Sequence, residues 1–284
     1  MEENNLDFSV ENLIRKVLTI INEINEQTDK KKQKGFSNLK KIFEKDEESL
    51  NITHLEDIKE FQVKTNQFIE GVNNLIEELQ DLPQTISQYS ATHINSNEVI
   101  ITYGYSYTVK VFLINAKKQR DFEVIVFEQE NSTNGQKMAS ELQREGGITT
   151  FLAPFSSIYA FMSRVNKIFL GAHAIMKNGG ILGKTGIFMI SSAAKAYSVP
   201  VIILSSAIKL TPLFPFEQNT YNDIQNPFNV YQGNIEYSNN QTIISTKLDY
   251  IAPEYISLYI TNYGEHTPAY IYRLFNEFYS REDV

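Results

Sequence analysis

The chain has 284 residues, no cysteine and a formal net charge of −8. The lack of cysteine excludes a disulfide framework, a thiolate metal site and a thiol nucleophile, and the excess of acid argues against a broad grip on nucleic-acid phosphates. A chain of this size suits about two domains.

The start Met1-Glu2-Glu3-Asn4-Asn5 is acidic and polar, without the basic and apolar regions of a secretory leader, so a cytosolic protein is expected. Apolar runs such as Val199–Leu204 fall far short of the ~20 residues that cross a membrane, and no membrane association is expected.

Residues 1–92 are predicted to form an all-helical domain. From Val10 to Ile24 the apolar residues Val10, Leu13, Ile14, Val17, Leu18, Ile21 and Ile24 keep the spacing of one helix face, with Ser9 as a cap ahead of Glu11. Lys30-Lys31-Lys32-Gln33-Lys34-Gly35 reads as a solvated turn, and a short helix is expected around Leu39–Phe43. Thr53-His54-Leu55-Glu56 has capping-box spacing, and Leu55, Ile58, Phe68, Val72, Leu75, Ile76 and Leu79 form a long stripe that Pro83 should end.

Residues 93–284 change period. The β-branched runs Glu98–Thr102, Glu123–Phe127, Ile148–Leu152, Lys167–Leu170 and Val199–Leu204 alternate with helical patterns. This alternation predicts βαβ units and a Rossmann-like α/β domain with a mainly parallel sheet. After Lys209, Pro212, Pro215 and Pro227 mark an irregular segment, followed by Lys247–Ile251 and two helix-like stretches ending at Tyr279. The tail is crowded with aromatic residues, which suit a subunit contact as well as ordinary core packing.

Asn178-Gly179-Gly180-Ile181-Leu182-Gly183-Lys184-Thr185 differs from a phosphate loop by Asn in place of the first Gly. A phosphate loop needs a strand running directly into it, whereas the nearest predicted strand ends near Gly171, so the segment is read as a turn and helix start. His54, His93, His173 and His266 lack metal-ligand spacing, and neither metal nor cofactor is expected. His173 stands out because it follows a predicted buried strand at its carboxyl end, where open α/β sheets keep functional groups. Thr102-Tyr103-Gly104-Tyr105-Ser106 turns the first strand into a helix from about Tyr107. Its hydroxyls suit an anion at the helix N-terminus, although capping by Ser106 is the simpler reading.

Val99-Ile-Ile-Thr-Tyr-Gly-Tyr-Ser-Tyr-Thr-Val109, Phe122-Glu-Val-Ile-Val-Phe-Glu128, Met162-Ser-Arg-Val-Asn-Lys-Ile-Phe-Leu-Gly171 and Asn178-Gly-Gly180 resemble, in order and spacing, the alpha/beta/delta subunit family of eukaryotic translation initiation factor 2B. Asp249-Tyr-Ile-Ala-Pro-Glu254, Ile260-Thr-Asn-Tyr-Gly264 and Tyr270-Ile-Tyr-Arg-Leu274 are similar to its beta-type branch. The resemblance covers about residues 97–280.

It implies a cytoplasmic, non-catalytic regulatory subunit of a guanine-nucleotide exchange complex. The implied partners are the delta, alpha, gamma and epsilon subunits of initiation factor 2B and the alpha subunit of initiation factor 2, whose phosphorylation is sensed. Exchange itself belongs to epsilon. Isomerases of methylthioribose 1-phosphate and ribose 1,5-bisphosphate share the fold and shuttle a proton between a Cys in the first strand-to-helix turn and an Asp after the fourth strand. Gly104 and His173 stand at those positions here; glycine moves no proton, so the acid–base pair of the isomerases is incomplete. The resemblance therefore implies a vestigial ligand pocket of Thr102, Gly104, Tyr105, Ser106, His173 and Lys184, with an isomerase relative that retains ligand binding as the alternative. Tyr270, Tyr272 and Arg273 are expected at a subunit interface, and the N-terminal helices in the docking cavity for initiation factor 2.

Overall fold

The computed structural model describes residues 8–39, 50–128, 132–215 and 244–279. Packing divides the chain into one unit of Val10–Asp81 and another formed mainly by residues from Leu82 onward.

The first unit is built from α1 (Phe8–Leu39) and α2 (Leu50–Ser87). Lys16 Nζ on α1 donates to Glu78 Oε1 on α2 at 2.8 Å. Gly71 lets the helices approach, since a Cβ there would lie 2.9 Å from Ile20 Cγ2. Apolar residues of this unit are only partly covered: Leu75 is buried, whereas Ile14, Leu18, Val63, Ile69 and Ile76 stay exposed.

Four local expectations are corrected here. α1 continues through Lys30–Gly35, because Lys and Gln are good helix formers and one Gly costs only about 1 kcal/mol. Ser9 and Thr53 lie inside the first turns of α1 and α2, so neither is an N-cap. Pro83 does not end α2, which runs on to Ser87. A helix-interior proline costs about 3 kcal/mol, and burial of Ile86 in the second unit's core offsets much of it. The helix expected at Leu39–Phe43 lies almost wholly outside the described residues.

The second unit contains, in chain order, α3 (Ser90–His93), β1 (Val99–Tyr103), α4 (Tyr107–Lys117), β2 (Glu123–Glu128), α5 (Asn134–Gly146), β3 (Thr149–Pro154) and α6 (Ile158–Met162). These are followed by β4 (Lys167–Gly171), β5 (Ala174–Met176), β6 (Ile181–Lys184), α7 (Ile187–Ala196), β7 (Val201–Leu204) and β8 (Leu210–Thr211). Last come β9 (Leu248–Ile251), β10 (Leu258–Thr261), β11 (Gly264–His266) and α8 (Ile271–Phe278).

The main sheet has the order β11-β10-β7-β4-β1-β2-β3, parallel except for the β10–β11 pair. Helices cover both faces. Phe112 and Leu113 of α4 and Met138 and Leu142 of α5 pack on one side, and Ile187 and Ile190 of α7 and Ile271 and Leu274 of α8 on the other. This two-sided burial explains why β1 and β7 read as unbroken apolar runs. A second sheet, β8-β5-β6-β9, joins the β5–β6 hairpin inserted between β4 and α7 to β8 and β9, which follow β7 in the chain.

The tail differs from the two expected helices: β10 and β11 precede a single helix, α8. β10 extends the parallel sheet beside β7, so burial on both faces overrides the helical pattern of Leu258–Thr261. Among the described residues no helix is long and apolar enough to cross a membrane.

A half-buried ion pair ties the start of β1 to β4. Lys167 Nζ donates to Glu98 at 2.9 and 3.2 Å and to the His93 carbonyl at 2.7 Å. Burial raises the Glu98 pKa, but hydrogen bonds from Asn95 and Lys167 outweigh it and hold the carboxyl below its usual 4.5. A carboxylate of depressed pKa stabilises the fold above its unfolded value and loses that contribution as pH falls through the folded one. Glu98→Gln is therefore expected to cost about 2 kcal/mol at neutral pH. In urea denaturation the gap to wild type should close as pH falls below 4.5; a gap independent of pH would contradict this account.

Candidate functional site

β1 leads outward to β2, whereas β4 leads the opposite way to β7, so the strand order reverses between two adjacent strands. Open α/β sheets bind ligands outside the carboxyl ends of the strands at such a switch point.

After β1 the chain turns sharply. Gly104 has φ +57° and donates its N–H to the Phe127 carbonyl at 3.0 Å, a conformation in which an L side chain is strained. Thr102 is buried within β1. Ser106 stands at the N-cap position of α4, and its carbonyl accepts the Lys110 N–H at 2.9 Å, but its hydroxyl makes no capping bond. Instead it faces β4, because a Cβ on Gly171 would fall 2.7 Å from Ser106 Oγ. The turn after β1 and the end of β4 thus meet across the switch point.

Tyr105 is fixed from the side. Its hydroxyl donates to Glu141 Oε2 at 2.9 Å, and Lys137 Nζ lies 4.5 Å from its ring centroid. Lys110 bridges Glu141 and Glu145 at 2.9 and 3.2 Å; the bond to Glu141 does most to push its pKa up to about 12.

The β5–β6 hairpin brings a further side chain to the turn after β1. Lys184, at the end of β6, donates to the Tyr105 carbonyl at 3.2 Å, and its Nζ would lie 3.9 Å from a Cβ on Gly104. The side chain as a whole is exposed, yet desolvation of the ammonium lowers its pKa against the raising effect of Glu128. His173 opens the β5–β6 hairpin, where its backbone N–H donates to the Leu182 carbonyl at 2.8 Å. Gly104, Tyr105 and Lys184 therefore form one group and Ser106 with Gly171 another, while His173 is anchored to the hairpin.

Three further polar groups border this site. Tyr103 donates to the Thr185 carbonyl at 2.6 Å, and burial, then Asp249 and Glu128, hold its pKa well above the usual value. Asp249 accepts the Gly186 N–H at 2.7 Å and the Phe188 N–H at 3.4 Å, satisfying the start of α7. Burial raises its pKa, partly opposed by those two bonds. Sequence reading missed Asp249 as a site residue, although a lone carboxylate within the strand Leu248–Ile251 is a signal that marks it. Glu128 accepts the Gln136 N–H at 2.8 Å, at the start of α5.

Asn178-Gly179-Gly180 is neither a phosphate loop nor a helix start. It is the turn of the β5–β6 hairpin, and Lys184 ends a strand that lies within the motif; α7 begins only at Ile187. Asn178 Oδ1 accepts the Gly180 N–H at 2.9 Å, and its amide donates to Tyr250 at 2.6 Å. The buried Tyr259 hydroxyl donates to the Gly179 carbonyl at 2.7 Å. The turn thereby clamps the tail to the fold.

In that tail Tyr270 stacks on His266 at 5.0 Å and 7°, and the Arg273 guanidinium lies 5.6 Å from the Tyr270 ring centroid. Tyr272 and Arg273 are exposed. Arg273 also pairs with Glu277 at 3.4 Å.

A model of the Initiation factor 2 subunit family matches residues 3–268, reaching into the helical segment outside the sequence resemblance. The chain is 40% identical over 217 residues to translation initiation factor eIF2B subunit beta of Dictyostelium discoideum, covering 76% of this chain and 56% of that protein. It is 35% identical over 218 residues to the beta subunit of Schizosaccharomyces pombe, with 76% and 56% covered. The chain thus spans about half the length of the curated relatives it matches. The crystal structure of eIF2B beta from Chaetomium thermophilum shares the fold with a TM-score of 0.72 at 22% identity, over 98% of this chain and 75% of that one. A chain of the tetrameric eIF2B-beta2-delta2 complex of that organism matches with a TM-score of 0.66 at 22% identity, over 95% and 74%. The switch-point sheet, the β-type tail and the extent of these matches agree: the chain belongs to the Initiation factor 2 subunit family.

Proposed function

We propose that this chain is a beta-type, non-catalytic regulatory subunit of an initiation factor 2B guanine-nucleotide exchange assembly, working in the cytoplasm through its surfaces. The observation that carries this reading is the pair of residues at the switch point. Gly104, at φ +57°, offers no side chain, and His173 stands where a proton shuttle would need a second group. Asp249, the buried carboxylate nearby, is engaged with the first turn of α7.

The likeness to beta subunits supports beta-type identity, and the beta–delta complex supports a delta-type subunit as the direct partner, contacted through Tyr270, Tyr272 and Arg273. The alpha, gamma and epsilon subunits complete the proposed assembly. The two-helix unit, with its exposed apolar stripes, takes part in docking the alpha subunit of initiation factor 2, and phosphorylation of that partner alters the docking.

One observation favours a second reading, a ligand-binding pocket without turnover: Lys184 and the start of α4 offer positive charge beside Gly104. Incubation of the purified chain with ribose 1,5-bisphosphate and with methylthioribose 1-phosphate separates the possibilities. No ketose product is expected from either sugar. Binding that is lost in Lys184→Met would support the pocket, and turnover would overturn the non-catalytic reading.

A further inference from the structure

We propose that β3 is a pairing edge through which two copies of this chain associate, each adding its Thr149–Ala153 backbone antiparallel to the other's around a two-fold axis. This inference rests on the sheet edge alone and holds whether or not the regulatory reading does.

β3 is the last strand on its side of the sheet, paired with β2 from Glu123↔Thr149 to Glu128↔Pro154. Among the described residues no strand lies beside its other side, which presents a row of backbone groups. Sheets protect such edges with charge, shortness, bulges or proline. β3 is six residues long and uncharged, and its proline stands at the last position. Phe151 and Leu152 are 48% and 47% exposed. Phe151 aligns with Ile125, which belongs to the core under α6 and α7, and Leu152 with Val126, which belongs to the core under α4 and α5. An apolar side chain therefore projects at the edge on each face of the sheet.

An open edge of this kind accepts an extended, uncharged strand. A second copy of β3 meets that requirement for three reasons. The chain carries a net charge of −8, so copies repel one another except over neutral ground, and antiparallel β3 strands oppose no like charges. The opposite edge, β11, has only three residues and carries Glu265, so it is already protected. Pairing β3 with itself satisfies both open edges in one closed dimer, whereas pairing with β11 of another copy would propagate without closing. The added strand ends at Ala153, because Pro154 has no N–H to donate.

The absence of cysteine makes the test direct. Residues that face each other in an antiparallel pair lie within the Cα range of a disulfide. Mild oxidation of the full chain carrying Phe151→Cys or Leu152→Cys is expected to give a disulfide-linked dimer in at least one case, and the Lys118→Cys control none. In sedimentation, wild type should run at twice 32.6 kDa. Leu152→Lys should weaken the dimer by about tenfold or more with an unchanged circular dichroism spectrum. A monomeric wild type, a dimer untouched by both Phe151→Lys and Leu152→Lys, or pairing only with a different subunit would overturn the proposal.

Discussion

Gly179→Ala is expected to lower the unfolding free energy by about 3–5 kcal/mol and to release residues 268–279 from the fold, combining strain at positive φ with overpacking against backbone. Gly179 has φ +81°, and a Cβ there would fall 2.3 Å from the Pro268 carbonyl oxygen and 3.0 Å from its carbon. Backbone cannot rotate away as a side chain can, so the clash has to be relieved by moving the hairpin or the tail. Either movement breaks the bond from the buried Tyr259 hydroxyl to the Gly179 carbonyl. Gly147→Ala supplies the control: its φ is +59°, but nothing lies within 4 Å of the added Cβ. That variant should cost only about 1–2 kcal/mol. Urea denaturation of both measures the difference, and equal losses would contradict a hairpin-to-tail clamp.

The second large effect concerns association. Tyr270→Ala, Tyr272→Ala and Arg273→Ala together are expected to abolish co-purification with a delta-type partner. Tyr and Arg dominate interface energetics, at about 2 kcal/mol or more for each central residue, so losing two would weaken binding by about a thousandfold. The flat stack of His266 on Tyr270, with Arg273 alongside, holds these groups in place before binding and reduces the entropy lost on association. Because Tyr272 and Arg273 are exposed, the double variant at those positions should keep wild-type thermal stability and still lose the partner. Undiminished co-purification would remove this surface from the interface.

The central strands were legible because burial on both faces of a parallel sheet leaves short β-branched runs such as Val201–Leu204, set apart by the helical patterns between them. β5 and β8 escaped notice because three and two residues carry no period, and β6 because Gly183 and Lys184 break its apolar run beside the Gly179-Gly180 turn. β10 was hidden for a related reason: Leu258–Thr261 pairs with β7 over a distance in sequence that local patterning does not encode. Helix ends were misplaced where Ser9 and Thr53 matched cap spacing, since spacing alone does not fix which residue leaves helical geometry. At the site, Gly104 and His173 were found by position relative to β1 and β4. Lys184 reaches the same place only through the second sheet, and the grip of Asp249 on α7 depends on that sheet too.

Affinity capture of the chain from the cells that express it, with mass spectrometry of what is retained and a sugar-phosphate assay on the eluate, bears most directly on the regulatory reading. The expected result is delta-, alpha-, gamma- and epsilon-type subunits in stoichiometric amounts, with no isomerised sugar. Recovery of the chain without them, in an eluate that converts ribose 1,5-bisphosphate, would contradict it.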